Sequence, residues 1–147
     1  MRPKALYLSL TIAGLFFIID QYFKYLARTY RDFTYYIIDP WLGWELFLNK
    51  GIAFSIPFPN IIILILTPLI LGFIIFFLLS KKQKKESLVP SFSLFLIIFG
   101  ALSNYLDRIF FAATVDYFRI FSSVINIADI MITTGAFLFI YNQLKNK

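Results

Sequence analysis

The chain has 147 residues, of which 60% are hydrophobic and 15% are charged, and it carries a net charge of +6. Ordinary globular proteins are about 45–50% apolar and about 25% charged, so one small domain has too little interior to bury this much apolar surface. The composition therefore excludes a soluble protein and predicts a membrane protein. The absence of Cys and His excludes disulfides, thiolate nucleophiles, Ser-His triads and the usual zinc sites.

Four apolar stretches approach the roughly 20 residues that a helix needs to cross a bilayer. They predict membrane spans at about 6–27, 61–80, 88–106 and 124–141. We therefore expect a mainly α-helical membrane fold with four transmembrane helices, forming a single domain over 1–147. No small-residue cleavage site follows the first stretch, so we interpret it as a retained helix rather than a signal peptide.

Basic residues mark one side of the membrane. They precede the first span, fill the link between spans two and three, and close the chain: Arg2, Lys4, Lys81, Lys82, Lys84, Lys85, Lys145 and Lys147. By the positive-inside rule both termini are cytoplasmic, and the segments at about 28–60 and 108–123 lie outside. Orientation and lipid headgroup contact explain the basic charge, so we expect no nucleic-acid partner.

The segment between the first two spans has a different pattern. Residues 33–39 and 44–49 are rich in aromatic and β-branched types, and Pro40 and Gly43 lie between them. This pattern is typical of a strand, a turn and a second strand. We expect a small extracytoplasmic β-sheet between helices 1 and 2, lying on the outer membrane surface.

Two acids on the outer side are candidates for chemistry, because ionisable groups in or beside hydrocarbon are costly and usually functional. Asp129 lies about five residues inside the predicted fourth span, with Asn126 on the same helix face. Asp116 lies in the short external segment before that span, which can bring it back over Asp129. The alternative for Asp129 is a hydrogen bond that only holds a neighbouring helix.

The end of the third span carries Asn104, Asp107 and Arg108, spaced so that they share one helix face. The simplest interpretation is an ion pair at the helix end. Asp107 beside Arg108 should stay ionised, which suits a structural clamp better than a proton-transferring acid.

Two further clusters complete the outer side. Asp20 and Lys24 have the spacing of a helical salt bridge. Asn49 follows the predicted strands and could hold a substrate backbone, while Gly51 would permit an unusual turn.

Together these clusters resemble the lipoprotein signal peptidase family, also called signal peptidase II, over essentially the whole chain. The matching motifs are Asp20-Gln-x-x-Lys24, Asn49-x-Gly-x-Ala-Phe54, Gly100-Ala-Leu-x-Asn-x-x-Asp-Arg108, Val115-Asp-Tyr117 and Asn126-Ile-Ala-Asp129. The chain departs from the usual pattern at three positions, where Ser103 and Phe99 replace Gly and Tyr117 replaces Phe. The stretch from Asp116 to Asn126 is also shorter than is typical.

The resemblance implies that Asp116 and Asp129 are a catalytic pair in the bacterial cytoplasmic membrane, with the active site facing outward. It implies supporting roles for Asp20, Lys24, Asn49, Asn104, Arg108 and Asn126. The implied substrate is a bacterial prolipoprotein that carries diacylglyceryl on its lipobox Cys and is cut just before that residue.

Two nearby carboxylates in a low-dielectric cleft share one proton, so one can activate a water while the other protonates the scissile carbonyl. We therefore expect an aspartic endopeptidase that needs no metal and no cofactor, acts as a monomer and contacts membrane lipid. Two alternatives stay open, a small cation- or proton-coupled transporter and a non-catalytic membrane adaptor.

Overall fold

The computed structural model describes residues 3–52, 56–80 and 89–145. Its elements follow in the order α1 (Pro3–Thr29), β1 (Tyr35–Ile38), β2 (Leu42–Asn49), α2 (Asn60–Ser80), α3 (Val89–Phe111), β3 (Thr114–Ile120), β4 (Ser123–Ile125) and α4 (Ile127–Lys145). Several residues noted in the sequence lie outside the described residues: Arg2, Lys81, Lys82, Lys84, Lys85, Lys147 and the motif residues Ala53 and Phe54.

All four helices are long and apolar enough to cross a membrane, which confirms the predicted fold class. Helix α3 is central to the bundle, since it contacts α1, α2 and α4. Glycines allow α3 and α4 to approach closely. A Cβ atom at Gly100 would lie 2.7 Å from the carbonyl oxygen of Ala128, and one at Gly135 would lie 2.6 Å from that of Ser93. Backbones packed this closely gain van der Waals contact that larger residues would prevent.

The predicted small sheet is present, and it includes strands from outside the segment between α1 and α2. Four antiparallel strands lie in the order β1-β2-β3-β4, and β3 and β4 come from the segment between α3 and α4. Strand β3 pairs with β2 from Leu42↔Ile120 to Asn49↔Thr114. Strands supplied by both external segments therefore meet at one end of the bundle.

Helix α3 extends to Phe111, past the predicted end of the third span at residue 106. Its last turn closes with Ala112 at a φ of 54°, and the amide of Ala112 donates to the carbonyl of Arg108. This is the left-handed helix end usually formed by glycine. The extension carries Asp107 and Arg108 on the helix itself.

Helix α4 begins at Ile127, three residues later than the predicted span that started at Val124. The reason is that residues 123–125 pair with β3 as a short strand, with Ile125 opposite Phe118. Asp129 consequently lies in the first turn of α4 rather than about five residues inside the span, as predicted. Asn126 stands just before the helix, where it acts as the cap.

An aromatic cluster joins α1 to the sheet. Phe23 packs against Trp44, Tyr117 and Phe118, with ring centroids 5.7 to 6.0 Å apart. The Tyr117 and Phe118 rings lie 4.7 Å apart in an edge-on arrangement. Edge-on aromatic pairs of this kind stabilise packing beyond their buried area, so the sheet is held firmly over the end of α1.

Candidate active site

A cavity of about 680 Å³ opens where β2 and β3 meet the ends of α3 and α4. Five of the residues singled out from the sequence line it: Asn49, Asn104, Arg108, Asp116 and Asp129. They come from four different elements, and the rest of the lining mixes apolar residues such as Ile132 with polar ones such as Thr114. The fold therefore gathers polar groups that are up to 80 residues apart into one cleft.

Asp116 reaches the cavity from β3, where it lies opposite Phe47 of β2. Its side chain is 1% exposed, and one carboxylate oxygen accepts a hydrogen bond of 2.6 Å from the Nδ2 of Asn126. Burial, and then the charge of Asp129, raise the pKa of Asp116 to about 7, while hydrogen bonds from the Asn49 and Asn126 amides lower it. This carboxyl group can therefore exchange a proton near neutral pH.

Asp129 forms a reciprocal cap with Asn126 at the start of α4. The amide of Asp129 donates to Asn126 Oδ1 at 2.8 Å, and the amide of Asn126 donates to Asp129 Oδ2 at 3.3 Å. The other carboxylate oxygen accepts 2.8 Å from Nδ2 of Asn104. A carboxylate at this helix position is stabilised by the capping bonds and by the helix dipole.

Asn126 connects the two carboxylates. Its side-chain amide donates to Asp116, and its backbone amide donates to Asp129. Asn126 is fully buried, so neither bond competes with solvent. The sequence placed Asn126 on the same helix face as Asp129, but its position ahead of the helix is what allows it to bind both acids.

A buried ion cluster lies behind the cavity. Lys24 is fully buried and lies 2.8 Å from Asp20 and 2.8 Å from Asp107. It also donates to Asn104 Oδ1 at 2.8 Å, so it connects the ion cluster to the amide that binds Asp129. The predicted Asp20–Lys24 salt bridge is present, and Lys24 is in addition a contact between α1 and α3.

Asp107 does not form the expected ion pair with Arg108. Within the described residues its only salt bridge within 4.0 Å is the one to Lys24. Its carboxylate also accepts a 3.1 Å hydrogen bond from the amide of Val115. Asp107 still acts as the expected clamp, but it joins α3 to α1 and β3. It does not bind Arg108 because adjacent residues of a helix point to different sides.

Arg108 instead points to the segment that follows β2. It donates to the carbonyl of Gly51 and, at 3.4 Å, to Oδ1 of Asn60. The turn at Gly51 does not use a left-handed conformation, since no described glycine has a positive φ. The turn is formed by Asn49, whose side-chain oxygen accepts a 3.0 Å bond from the Gly51 amide.

Two residues at this site were noted in the sequence only as departures from a family pattern. Tyr117 and Ser103 are fully buried, and both donate to the carboxylate of Asp20, at 2.7 and 2.6 Å. Burial and the charge of Asp20 raise the pKa of Tyr117 well above its usual value, so its hydroxyl stays protonated. No spacing rule marks them, because each reaches Asp20 from another element.

The described part of the chain holds no group of three or more Asp or Glu side chains placed to bind a metal ion. The carboxylates at the site are engaged by lysine and by amide and hydroxyl donors. The expectation that no metal or cofactor is needed stays a prediction.

Comparison with known proteins supplies the family. The profile described as Signal peptidase (SPase) II matches residues 12–145. The chain belongs to the signal peptidase II family. It is therefore a peptidase, of the aspartic type by family, which decides against the transporter and adaptor alternatives.

Individual relatives agree with this assignment. The lipoprotein signal peptidase of Francisella tularensis subsp. novicida is 34% identical and covers 100% of this chain and 96% of its own length. That of Serratia marcescens is 31% identical over 96% of this chain and 87% of its own length. A bacterial membrane enzyme solved in meso at 2.3 Å superimposes with a TM-score of 0.84 at 28% identity, covering 94% of this chain and 88% of the other. The chain is thus a multi-pass protein of a bacterial membrane enzyme family.

Proposed function

We propose that this signal peptidase II family member removes the signal peptide from bacterial prolipoproteins that carry diacylglyceryl on the lipobox Cys, cutting just before that residue. Asp116 and Asp129 are the catalytic pair. The observation that carries the proposal is that both carboxylates line one cavity and are bound by the same residue, Asn126. The substrate class follows from the name of the relatives, lipoprotein signal peptidase.

The pair acts by general acid–base chemistry. The ionised carboxylate takes a proton from a water held between the two acids, and the water oxygen attacks the scissile carbonyl carbon. The protonated carboxyl donates to the carbonyl oxygen, which gives a neutral tetrahedral intermediate. When the C–N bond breaks, the protonated carboxyl gives its proton to the leaving amine and the ionised carboxylate takes one from a hydroxyl of the intermediate, so the pair again holds one proton. The raised pKa of Asp116, about 7, supports a pair that holds one proton at neutral pH.

The surroundings of the pair support this chemistry. Asp116 is 1% exposed, and Asn104 and Asn126 hold the carboxylates through 2.8 and 2.6 Å bonds. Groups oriented in this way lose little entropy when the substrate is placed against them. Asn49 and Arg108 also line the cavity and are available to hold the peptide backbone.

The proposed orientation has both termini in the cytoplasm and the cavity outside. It is supported by the excess of Lys and Arg in the termini and in the link between α2 and α3. The outer faces of the bundle support contact with membrane lipid. In α2, for example, Phe73 and Phe76 are 69% and 67% exposed. The protein acts as a monomer in one domain, with the sheet at the outer membrane surface.

The test of the catalytic pair is separate replacement, Asp116→Asn and Asp129→Asn. Each variant should lose at least about 10³-fold in kcat on a diacylglyceryl-modified precursor, because amides cannot transfer the proton. Asp32→Asn is the matched control, since Asp32 is an exposed acid between α1 and β1. It should cleave at the wild-type rate. Near wild-type cleavage by either catalytic variant would show that the assignment is wrong.

A second arm tests the substrate. The same precursor without the diacylglyceryl group should be cut far more slowly, and mass spectrometry should place the cut just before the lipidated Cys. Equal rates on both precursors would remove the lipid from the proposal and leave the peptidase activity intact.

A further inference from the structure

The carboxylate of Asp20 is buried, and each of its oxygens is bound by two protein groups, which together form the Asp20 centre. Its Oδ1 accepts from the Tyr117 hydroxyl at 2.7 Å and from the Ala128 amide at 3.2 Å. Its Oδ2 accepts from the Ser103 hydroxyl at 2.6 Å and lies 2.8 Å from the Lys24 ammonium. An ionised carboxylate can only accept, and a buried one is tolerated only when its oxygens are bonded in this way.

The Tyr117 hydroxyl has a second contact, at the start of α4. It accepts a 3.1 Å hydrogen bond from the amide of Ile127, the first residue of α4. Tyr117 directly follows Asp116 in β3, and Ile127 lies two residues before Asp129. One hydroxyl therefore joins the neighbour of one carboxylate to the helix turn that carries the other.

The first turn of α4 is held by the same centre. Three backbone amides of this turn donate to acceptors outside the helix. The amide of Ile127 donates to the Tyr117 hydroxyl and that of Ala128 to the Asp20 carboxylate, while that of Asp129 donates to its cap, Asn126. Amides at a helix start have no partner within the helix, so these external acceptors set where the turn sits. Asp20 and Tyr117 therefore set the position of this turn relative to β3.

We propose that the hydroxyls of Tyr117 and Ser103 are positioning groups, which lock the Asp20 carboxylate and thereby fix the position of Asp129 relative to Asp116. The kinetic part of this inference rests on the proposed function. Asp20, Ser103 and Tyr117 are not among the described residues that line the cavity. They therefore act through the backbone and not by touching substrate.

The kinetic test compares Tyr117→Phe with Tyr105→Phe. Tyr105 is also on the bundle and donates to a backbone carbonyl, that of Leu64 in α2, but it has no contact with Asp20. Tyr117→Phe should lower kcat at least about 10-fold and leave KM within about twofold, since misplacement by around 1 Å impairs chemistry more than binding. Tyr105→Phe should keep the wild-type kcat.

Ser103 supplies an independent arm. Ser103→Ala should also lower kcat without raising KM, whereas Ser93→Ala should not. Ser93 is a matched control because it is fully buried in the same helix and donates to the carbonyl of Pro90 in its own first turn. Should Tyr117→Phe fail to accumulate in membranes, Ser103→Ala carries the kinetic test alone.

A stability measurement separates this inference from the proposed function. The midpoint of thermal unfolding in detergent should fall by roughly 3–8 °C in each single variant, and by an amount different from the sum in the double variant, because both hydroxyls bind one carboxylate. This arm needs no substrate, so it stands even if the wild-type protein cleaves no lipidated precursor.

Two results would overturn the inference while the peptidase assignment survives. One is a Tyr117→Phe enzyme whose kcat matches Tyr105→Phe. The other is a rise in KM at constant kcat, which would mean that the hydroxyl contacts the substrate. If the falls in unfolding midpoint of the two single variants add up to that of the double variant, the two hydroxyls do not act through one shared carboxylate.

Discussion

Replacement of Asn126 tests the link between the two carboxylates most directly. Asn126→Ala removes the amide that donates to Asp116 at 2.6 Å and the oxygen that caps Asp129 at 2.8 Å. Asn126→Ser removes the amide but keeps a hydroxyl oxygen, which is an equally good helix cap. The pair of variants therefore separates the bond to the acid from the cap.

The structure sets the size of the expected effects. A hydrogen bond to a charged group contributes about 1.5–3 kcal/mol and an N-cap about 1 kcal/mol. Asn126→Ala should therefore lower the free energy of unfolding by about 3 kcal/mol, and Asn126→Ser by about 2 kcal/mol. Both variants should lose roughly 10²-fold in kcat, because Asp116 loses the donor that orients it.

The pH profile provides a second measurement on the same variants. The Asn126 amide lowers the pKa of Asp116 because it favours the charged form. Without that amide the pKa rises further, so the pH above which the pair loses its last proton should move upward. The assay is kcat/KM for a lipidated precursor, measured from about pH 5 to about pH 10, because such a profile reports the apparent pKa values of a coupled pair of acids.

Two outcomes would refute this reasoning. If Asn126→Ser keeps wild-type kcat, the amide does not orient Asp116. If the alkaline limit of activity moves to lower pH in either variant, the amide does not stabilise the charged carboxylate. Equal stability of Asn126→Ala and Asn126→Ser would show that the cap contributes little.

Two further predictions concern the wild-type pH profile and the buried ion cluster. The pKa of Asp116 is raised to about 7 by burial and by Asp129, so kcat/KM should fall as the pH rises through about 7 and the proton is lost; activity that climbs steadily from pH 7 to 9 would contradict a shared proton. Lys24→Met should lower the free energy of unfolding by about 3–5 kcal/mol, since it leaves Asp20 and Asp107 buried without their cation. An unfolding midpoint in detergent equal to that of wild type would contradict this.

Much of the fold could be predicted because its signals are local. A run of about 20 apolar residues is sufficient for a membrane helix, and the aromatic and β-branched residues on either side of Pro40 and Gly43 were sufficient for the first two strands. The sheet was underestimated because β3 pairs with β2 across about 70 residues, and no local pattern encodes that pairing. The pairing of β4 with β3 explains the late start of α4.

The candidate site divides in the same way. The chemical types were readable, since the absence of His and Cys leaves carboxylates as the main candidates, and the resemblance to the family implies Asp116 and Asp129. Side-chain partners were not readable. Asp107 was paired with its sequence neighbour Arg108, yet it binds Lys24, because a partner depends on which helix faces which.

By itself, then, the sequence determined the membrane environment, the number of helices and the residues available for acid–base chemistry, since composition and helix length decide these. Only the tertiary structure decided that Asn126 caps α4 while binding both carboxylates, and that Tyr117 and Ser103 converge on Asp20. The physical reason is that hydrogen bonds form over about 3 Å, and only the packing of α1, α3, α4 and the sheet brings groups so distant along the chain within that range.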